Sequence, residues 1–277
     1  MIFLFKYIGS ASSTKSAPQD GSYSDSDPSL FFAHQTIQNA CATQAILSII
    51  LNNNAANTSV PPASAIDVGD QLSNFYEFAQ NFPPEILGET ISNSDLIRET
   101  HNSFAKSSPF ADETQRDPSA GTEDAFHFIG YTVRNDVLYE LDGLQPKPIS
   151  HGACTFDQFP DKIIPVLHSR IARYPPEEVR FNLMAVCRDL RIHATEIGDL
   201  ETLELEKSKR AQWAWENSLR RHNFVGFIGE VLKGVAGQKV AAGDGQYENW
   251  VEDAKKATQK KLEDRRERVK AANEAEK

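Results

Sequence analysis

The stretch Phe31–Asn53, F-F-A-H-Q-T-I-Q-N-A-C-A-T-Q-A-I-L-S-I-I-L-N-N, joins a group of amide side chains to a long apolar segment. The apolar and small residues predict a helix over about 40–52, closed by the three asparagines at 52–54. Cys41 stands at the amino-terminal edge of that helix, where unpaired N–H groups and the positive end of the helix dipole favour a thiolate. The stretch therefore predicts a reactive cysteine, although a cysteine in an Ala- and Ile-rich helix is more often a buried structural residue.

The overall composition is that of a globular protein with a substantial core, since 40% of the 277 residues are hydrophobic and 25% are charged. The net charge of −10 argues against general nucleic-acid binding, which requires a basic surface. No apolar run reaches the roughly 20 residues that span a bilayer. The apolar run that follows Met1 is too short for the hydrophobic region of a signal peptide. We therefore expect a cytoplasmic and nuclear protein with neither a nucleic-acid nor a membrane partner.

The three cysteines, Cys41, Cys154 and Cys187, are widely spaced. They form neither a C-x-x-C metal pattern nor an even-numbered disulfide framework. A reducing compartment is the simplest interpretation of this usage. We accordingly expect no metal site and no cofactor.

A β-hairpin is predicted near the middle of the chain. Apolar alternation in A-F-H-F-I-G-Y-T-V (125–133) and D-V-L-Y-E-L-D-G-L (136–144) flanks a polar turn at Arg134-Asn135. On that register His127 faces Asp142, and a carboxylate opposite an imidazole can hold its tautomer and stabilise the imidazolium. The structural alternatives are a histidine satisfied in the core and an Asp-Gly pair that forms a turn.

Periodicity and chain breakers predict the remaining elements. They are a buried strand at Ile2–Tyr7, helices at Gly69–Asn81 and from Pro84 or Asn93 to about Asn102, a buried strand over 181–187, a long polar helix at Thr195–Asn223 and an amphipathic helix over 224–236. Two polar segments, 10–29 and 103–122, predict loops, and a loop as long as the second is often a functional lid. Residues 255–277 carry a net charge of +4, which leaves −14 on the remainder.

Gln35, six residues before Cys41, supplies a side-chain amide that could join the Cys41 backbone N–H in an oxyanion hole. A cysteine, a histidine and an aspartate in that order, in a protein without disulfide spacing, fit a cysteine hydrolase. Each of them taken alone also has an ordinary structural explanation, so this pattern leaves both interpretations open.

Three blocks of sequence closely resemble the active-site blocks of the ubiquitin carboxyl-terminal hydrolase family, in the same order and at similar spacing: Q-T-I-Q-N-A-C-A-T-Q-A-I, D-A-F-H-F and L-Y-E-L-D-G-L. The resemblance implies that Cys41 is the nucleophile, His127 the general base and acid, Asp142 its orienting partner and Gln35 the oxyanion-hole donor. It also implies that segment 103–122 is the family's active-site crossover loop, beneath which substrates attached to the C-terminus of ubiquitin must thread.

The same resemblance implies the fold and the domain organisation. The fold class is α/β (α+β): a papain-like cysteine protease fold whose central antiparallel sheet is flanked by helices, followed by an all-α extension. The expected division is a catalytic domain over 1–190 and a helical extension over 191–277, with a partner-docking helix at about 215–240 and a basic tail.

The segment R-R-H-N-F-V-G-F-I-G-E-V-L-K, residues 220–233, resembles the helical extension of a longer, proteasome-associated member of the family. That resemblance implies docking on a ubiquitin-receptor subunit of the proteasome, in addition to binding of ubiquitin and its conjugates. The docking stripe would consist of Phe224, Phe227, Ile228, Val231 and Leu232, at helical spacing. The alternative is an ordinary packing helix.

Family members begin with a Trp-containing strand and two helices ahead of the strand that Ile2–Lys6 matches. The resemblance therefore implies that the catalytic domain is incomplete at its amino-terminal side in this chain. An incomplete domain leads to a rival function, a scaffold that docks on the receptor without completing the site. A third function, a different Cys-His-Asp amidohydrolase, is disfavoured by the match of all three blocks.

Overall fold

The computed structural model describes residues 1–7, 17–24, 29–55, 60, 62, 65–104 and 125–275. The strands are β1 (Ile2–Lys6), β2 (Ser22–Tyr23), β3 (Phe126–Arg134), β4 (Val137–Leu141), β5 (Ile149–Ala153) and β6 (Asn182–Met184). The helices are α1 (Cys41–Asn52), α2 (Gly69–Ala79), α3 (Pro84–Asn93), α4 (Asp95–Ser103), α5 (Phe159–Ile171), α6 (Leu190–Ile197), α7 (Leu200–Arg221), α8 (Val225–Ala241) and α9 (Gln246–Ala275).

The strands form one antiparallel sheet in the order β2-β5-β4-β3-β1-β6. Strand β3 lies at its centre, pairing with β4 on one side and with β1 on the other. Together with the helices of the carboxyl-terminal part, this sheet confirms the predicted mixed α/β class with an antiparallel sheet and a helical extension. The predicted strand at the start of the chain is β1, and its buried position follows from having β3 and β6 as neighbours.

The turn of the β3–β4 hairpin is one residue later than predicted. Arg134 pairs with Val137, and the two turn residues are Asn135 and Asp136, with φ of 47° and 56°. A two-residue turn of this kind needs positive φ at both central positions, which Asn and Asp tolerate and Arg does not. The predicted turn at Arg134-Asn135 and the register derived from it are therefore wrong.

Helix α1 covers one face of the sheet with its apolar side chains. Ala45 and Ile49 pack with Ile2 and Phe128, whereas Leu47 and Leu51 pack away from the sheet against a second cluster. That second cluster also contains Phe31, Ala33, Tyr76, Ala79, Leu87 and Ile97. The long apolar run in the sequence is thus a helix buried on two sides.

Helix α5 covers the opposite face of the sheet. Its Ile163 and Leu167 join a core that includes Phe3, Phe5 and Ile129, on residues of β1 and β3 that share this face. The sheet is therefore the middle layer between α1 and α5, with a separate apolar core on each side.

Three other sequence-based predictions of elements are wrong in detail. The predicted buried strand over 181–187 is β6, an exposed strand of three residues. The predicted single helix Thr195–Asn223 is broken at Gly198, whose φ of 74° is the left-handed value typical of a helix end, so α6 and α7 are separate. The uncertain third helix is two helices, α3 and α4.

Among the residues that the structure describes, the chain separates into two compact units: those within 1–103 with 125–202, and residue 104 with 203–275. The separation in the carboxyl-terminal part falls inside α7. In the second unit α8 packs along α9, and none of the side chains of α8 is buried. The predicted crossover loop, apart from residues 103 and 104, lies outside the described residues. No helix among the described residues is long and apolar enough to cross a membrane.

Asn52, fully buried at the end of α1, ties the segment that precedes Cys41 to this helix. The Phe31 N–H donates to Asn52 Oδ1 at 2.8 Å, and Asn52 Nδ2 donates to the Phe31 carbonyl at 2.9 Å and to the Ser48 carbonyl at 2.8 Å. The polar groups of a buried backbone segment are thereby satisfied by one side chain.

We predict that Asn52→Leu, which keeps the side-chain volume, lowers the free energy of unfolding by about 3 kcal/mol, because it leaves a buried N–H and buried carbonyls without partners. Equilibrium denaturation in urea measures the change. Asn53→Ala is the matched control: Asn53 is only half-buried and bonds to Ile49 O and Thr132 Oγ1, so about 1 kcal/mol is expected. Equal losses in the two variants would contradict the role given to Asn52.

Candidate active site

Cys41 is the first residue of α1 and is half-buried. The preceding residue, Ala40, contributes no side-chain cap, and the first turn contains no acidic residue. The chain enters the helix through Asn39, whose φ is 63°, a left-handed conformation that asparagine tolerates better than most residues. The open N–H groups at this helix end are therefore available to a negative charge at Cys41.

His127 lies on β3, directly opposite Phe5 of β1, and is buried. The rings of Phe5 and Tyr7 approach the imidazole edge-on, with centroid distances of 5.7 Å and 5.6 Å. Two aromatic rings and the backbone of a central strand thus restrict the orientation of this imidazole.

Asp142 follows directly after β4 and is also buried. His127 Nε2 donates to Asp142 Oδ1 at 2.7 Å, and the Leu144 N–H donates to the same oxygen at 3.0 Å. The structure therefore brings the predicted pair together, although the hairpin register from which we predicted the pair is wrong. Strand pairing between β3 and β4 stops at Gly130 and Leu141, and side chains beyond that point make the contact.

The three groups are electrostatically coupled. Burial raises the pKa of the Cys41 thiol, but hydrogen bonds to His127 and to the backbone of Phe128, together with the charge of His127, bring that pKa below its usual range. Burial lowers the pKa of His127, while its hydrogen bonds to Asp142 and Cys41 and their charges raise it to about 9. Burial raises the pKa of Asp142, and the hydrogen bond and charge of His127 lower it below its usual value. The favoured charge state is a thiolate beside an imidazolium that is held by a carboxylate.

Gln35 lies in the loop before α1. Its backbone N–H donates to the Gly143 carbonyl at 2.9 Å, and its side-chain Nε2 donates to the Ile37 carbonyl at 3.0 Å. The backbone of Gln35 is thus attached to the residue that follows Asp142, while its side-chain amide bonds within its own loop. The predicted role of Gln35 as an oxyanion donor remains a prediction.

Two glycines that the sequence argument missed hold this loop in place. A Cβ on Gly143 would collide with the Gln44 side-chain amide and would lie 3.0 Å from the Gln35 nitrogen. A Cβ on Gly88 would collide with the His34 carbonyl. The glycine of the Asp-Gly pair, which by itself suggests an ordinary turn, is therefore required for close packing between the Asp142 loop and the Gln35 loop.

Within the described parts of the chain, no group of three or more His, Cys, Asp or Glu side chains is arranged to hold a metal ion. A thiol at a helix start, hydrogen-bonded to a buried imidazole–carboxylate pair, is the arrangement of a cysteine hydrolase.

Comparison with known proteins agrees with that class. The family model described as "Ubiquitin carboxyl-terminal hydrolase, family 1" matches residues 1–172, and a second model, "Ubiquitin carboxyl-terminal hydrolases", matches residues 197–240. The chain belongs to the ubiquitin carboxyl-terminal hydrolase family and is a cysteine-type deubiquitinase.

Among the relatives, ubiquitin carboxyl-terminal hydrolase 2 of Schizosaccharomyces pombe is 44% identical over 240 residues, covering 84% of this chain and 75% of that protein. Ubiquitin carboxyl-terminal hydrolase isozyme L5 of Dictyostelium discoideum is 34% identical over 291 residues, covering 85% and 78%. The crystal structure of Trichinella spiralis UCH37 bound to ubiquitin vinyl methyl ester superimposes with a TM-score of 0.54 at 27% identity, covering 79% of this chain and 80% of that one.

The coupling between Cys41 and His127 predicts the pH dependence of thiol alkylation. The Cys41 thiolate is present above its lowered pKa, and its imidazolium partner is lost as the pH rises through about 9. At pH 6.5, where a free thiol of pKa about 8.5 is about 1% ionised, we expect iodoacetamide to alkylate Cys41 on the order of tenfold faster in the wild type than in His127→Ala. The rate is read by mass spectrometry of the Cys41 peptide.

The exposed Cys187 in the same molecule is the internal control, because its alkylation rate should not change on replacement of His127. An identical Cys41 profile in the wild type and in His127→Ala would contradict the thiolate–imidazolium pair.

Proposed function

We propose that this protein hydrolyses bonds to the C-terminal glycine of ubiquitin through a triad of Cys41, His127 and Asp142. The observation that carries the proposal is the continuous chain of interactions from the Cys41 thiol through His127 to Asp142, at the start of a helix. Membership of the ubiquitin carboxyl-terminal hydrolase family supplies the substrate class.

The first half of the reaction forms a thioester. The Cys41 thiolate attacks the carbonyl carbon of ubiquitin's terminal glycine, and the carbonyl oxygen becomes an oxyanion. The imidazolium of His127 then gives its proton to the leaving amine as the C–N bond breaks. Its pKa of about 9 means that it carries that proton at neutral pH.

The second half regenerates the enzyme. Neutral His127 takes a proton from water, the resulting hydroxide attacks the thioester carbonyl, and the C–S bond breaks to return the Cys41 thiolate and free ubiquitin. Asp142 stays ionised throughout and holds the imidazole through Nε2, so that the other ring nitrogen faces the sulfur.

The oxyanion is held by the Cys41 backbone N–H and by the side-chain amide of Gln35. For this role Gln35 Nε2 must exchange its hydrogen bond to the Ile37 carbonyl for one to the substrate oxygen. The backbone of Gln35 does not have to move, because its bond to the Gly143 carbonyl fixes it beside the Asp142 loop. A side-chain rotation on a fixed backbone is a small rearrangement on substrate binding.

The charge distribution suits a basic substrate segment. Outside residues 255–277 the chain carries a net charge of −14, and ubiquitin's C-terminal tail is basic. Opposite charge would raise the rate of encounter and help to orient the tail.

We predict that the wild type hydrolyses a fluorogenic amide of the ubiquitin C-terminus and that Cys41→Ala abolishes turnover, because Cys41 supplies the nucleophile. Gln35→Ala should lower kcat by about 100-fold with little change in KM, since one oxyanion donor acts mainly in the transition state. Steady-state kinetics measure both constants. Turnover that survives in Cys41→Ala would overturn the mechanism.

A second candidate function is that of a scaffold which docks on a proteasomal ubiquitin receptor without catalysis. The same kinetic assay separates the two functions, because a scaffold would bind the receptor but would not release the fluorophore. Docking and catalysis are also compatible, and we propose that the protein acts at the proteasome, in the cytoplasm and nucleus, in ubiquitin-dependent protein catabolism.

The observation that favours docking is the apolar stripe at the start of α8. The stripe consists of Phe224, Phe227, Ile228, Val231 and Leu232, and all five side chains are exposed, Phe227 to 67%. Their spacing of three and four residues aligns them along one side of the helix. An exposed aromatic and aliphatic stripe of this kind is typical of a helix that docks in a groove on a partner.

We predict that Phe227→Glu weakens binding to the proteasomal ubiquitin receptor at least tenfold, because it places a charge in the centre of an apolar interface. Isothermal titration calorimetry with the isolated receptor domain measures the affinity.

Val240→Glu is the matched control, since Val240 is equally exposed on α8 (63%) but lies on the opposite side of the helix from the stripe. Deletion of residues 215–277 should abolish binding. If affinity is unchanged in Phe227→Glu and in the deletion, the assignment of the docking helix fails.

A further inference from the structure

Behind the triad lies a second buried polar cluster that the mechanism above does not use. Arg170, in the last turn of α5, donates from NH2 to Glu140 Oε1 at 2.6 Å. The Tyr131 hydroxyl donates to Glu140 Oε2 at 3.0 Å, and His151 Nε2 lies 3.1 Å from the same oxygen. Only 11% of the Arg170 side chain and 4% of the Glu140 side chain are exposed.

The Phe5 ring connects this cluster with the triad histidine. The Arg170 guanidinium carbon lies 4.7 Å from the centroid of the Phe5 ring, in a cation–π arrangement. The Phe5 ring meets the His127 imidazole at 87° with a centroid distance of 5.7 Å. Phe5 is also the cross-strand neighbour of His127, so its backbone cannot move independently of β3.

The Arg170–Glu140 ion pair is not explained by a contribution to stability. Removing a guanidinium and a carboxylate from water is costly, and a buried ion pair often does no better than an apolar pair of the same size. Arg170 is also incompletely satisfied, because its Nε is buried and makes no hydrogen bond within the described part of the chain. A costly and imperfectly paired ion pair beside an active site is more readily explained by function.

We propose that Arg170, held by Glu140, is a positioning residue for the triad: its guanidinium presses the Phe5 ring against His127 and supplies a fixed positive charge near Asp142. This proposal rests on the proposed function of the triad and adds to it a residue remote from the substrate. Phe5 transmits the contact, and Glu140 sets the orientation of the guanidinium.

Two further features agree with this role. Burial raises the pKa of Asp142, but the hydrogen bond and charge of His127, the Leu144 N–H and the charge of Arg170 together hold it below its usual value. The planar guanidinium can bond to Glu140 at its edge while its face covers Phe5, which a lysine ammonium cannot do.

Several titratable groups face these residues and enter any pH profile. Around Arg170 they are Glu140, Tyr131, Asp142 and Tyr174, with His151 on the far side of Glu140, and around His127 they are Cys41, Asp142 and Tyr7. The test therefore uses a readout centred on Cys41, so that titration elsewhere in the cluster is not mistaken for the effect.

The experiment compares Arg170→Met, Arg170→Lys and the double variant Glu140→Gln/Arg170→Met with the wild type, each as the full chain. Hydrolysis of the ubiquitin C-terminal amide is measured per folded molecule, with the folded fraction taken from circular dichroism. For Arg170→Met we expect kcat to fall on the order of tenfold to a hundredfold with KM within about twofold, because the substrate does not touch this buried cluster but the histidine shifts. Arg170→Lys should lower kcat less than Arg170→Met does, because lysine keeps the positive charge without the planar face.

Alkylation of Cys41 by iodoacetamide, followed between pH 5 and pH 10, is the second readout. In Arg170→Met the midpoint should rise by about one pH unit, because a misaligned imidazolium stabilises the thiolate less well. A purely structural role for Arg170 would lower the melting temperature and leave this midpoint unchanged. The double variant keeps the test valid if Arg170→Met does not fold, since it leaves no unpaired carboxylate in the core.

Arg173→Met is the matched control, because Arg173 lies just beyond the same helix, is more exposed than Arg170 and pairs with Asp20 rather than with Glu140. It should match the wild type in kcat and in the alkylation midpoint. Wild-type kcat and midpoint in folded Arg170→Met, or in the double variant, would overturn the proposal. Failure of the wild type to hydrolyse the amide would instead overturn the proposed function, and the alkylation midpoint would still decide the role of Arg170.

Discussion

The hydrogen bond between His127 and Asp142 is the interaction on which the candidate active site depends. It joins β3 to the loop that follows β4, with 2.7 Å between His127 Nε2 and Asp142 Oδ1, and both side chains are buried. The bond and the charge of Asp142 raise the pKa of His127 to about 9 despite its burial. The imidazolium so formed then lowers the pKa of Cys41 below its usual range. Without the carboxylate, burial would favour a neutral imidazole, and the thiol would lose the partner that ionises it.

The scaffold is arranged so that this bond cannot shift on its own. Phe5 and Tyr7 close one side of the imidazole, and the Leu144 N–H holds the carboxylate oxygen from the other. Gly143, next to Asp142, allows the loop of Gln35 to lie against it, so the carboxylate and the predicted oxyanion donor share one support. Cys41 comes from a third segment, the start of α1, and Asn52 anchors the opposite end of that helix. Three distant segments of sequence thus meet within a few ångströms, and the precision that catalysis needs comes from the packing around them.

A large part of this arrangement was predictable from local pattern. The helix that starts at Cys41, the hairpin around residues 126–141 and the strand at the start of the chain all follow from periodicity that a single sequence displays. The errors occurred where one residue's backbone geometry decided the outcome. The hairpin turn shifted to Asn135 and Asp136 because they accept positive φ, and the long helix broke at Gly198 for the same kind of reason. The pairing of His127 with Asp142 was nevertheless right, because both side chains lie beyond the last paired residues, where the register no longer decides which groups meet.

The sequence by itself identified the candidate residues, because the proposed nucleophile, base and carboxylate each lie in a block whose residue types and spacing are local properties. The tertiary structure alone decided the ionisation states of these groups and which residues contact them. Nothing near Glu140 in the chain indicates that it is buried with Arg170, thirty residues away, or that Phe5 separates that pair from His127. Burial and contact between distant residues arise only when the sheet closes between its two helical layers, and pKa shifts depend on those contacts because the electrostatic interaction between two charges depends on their separation and on the solvent around them.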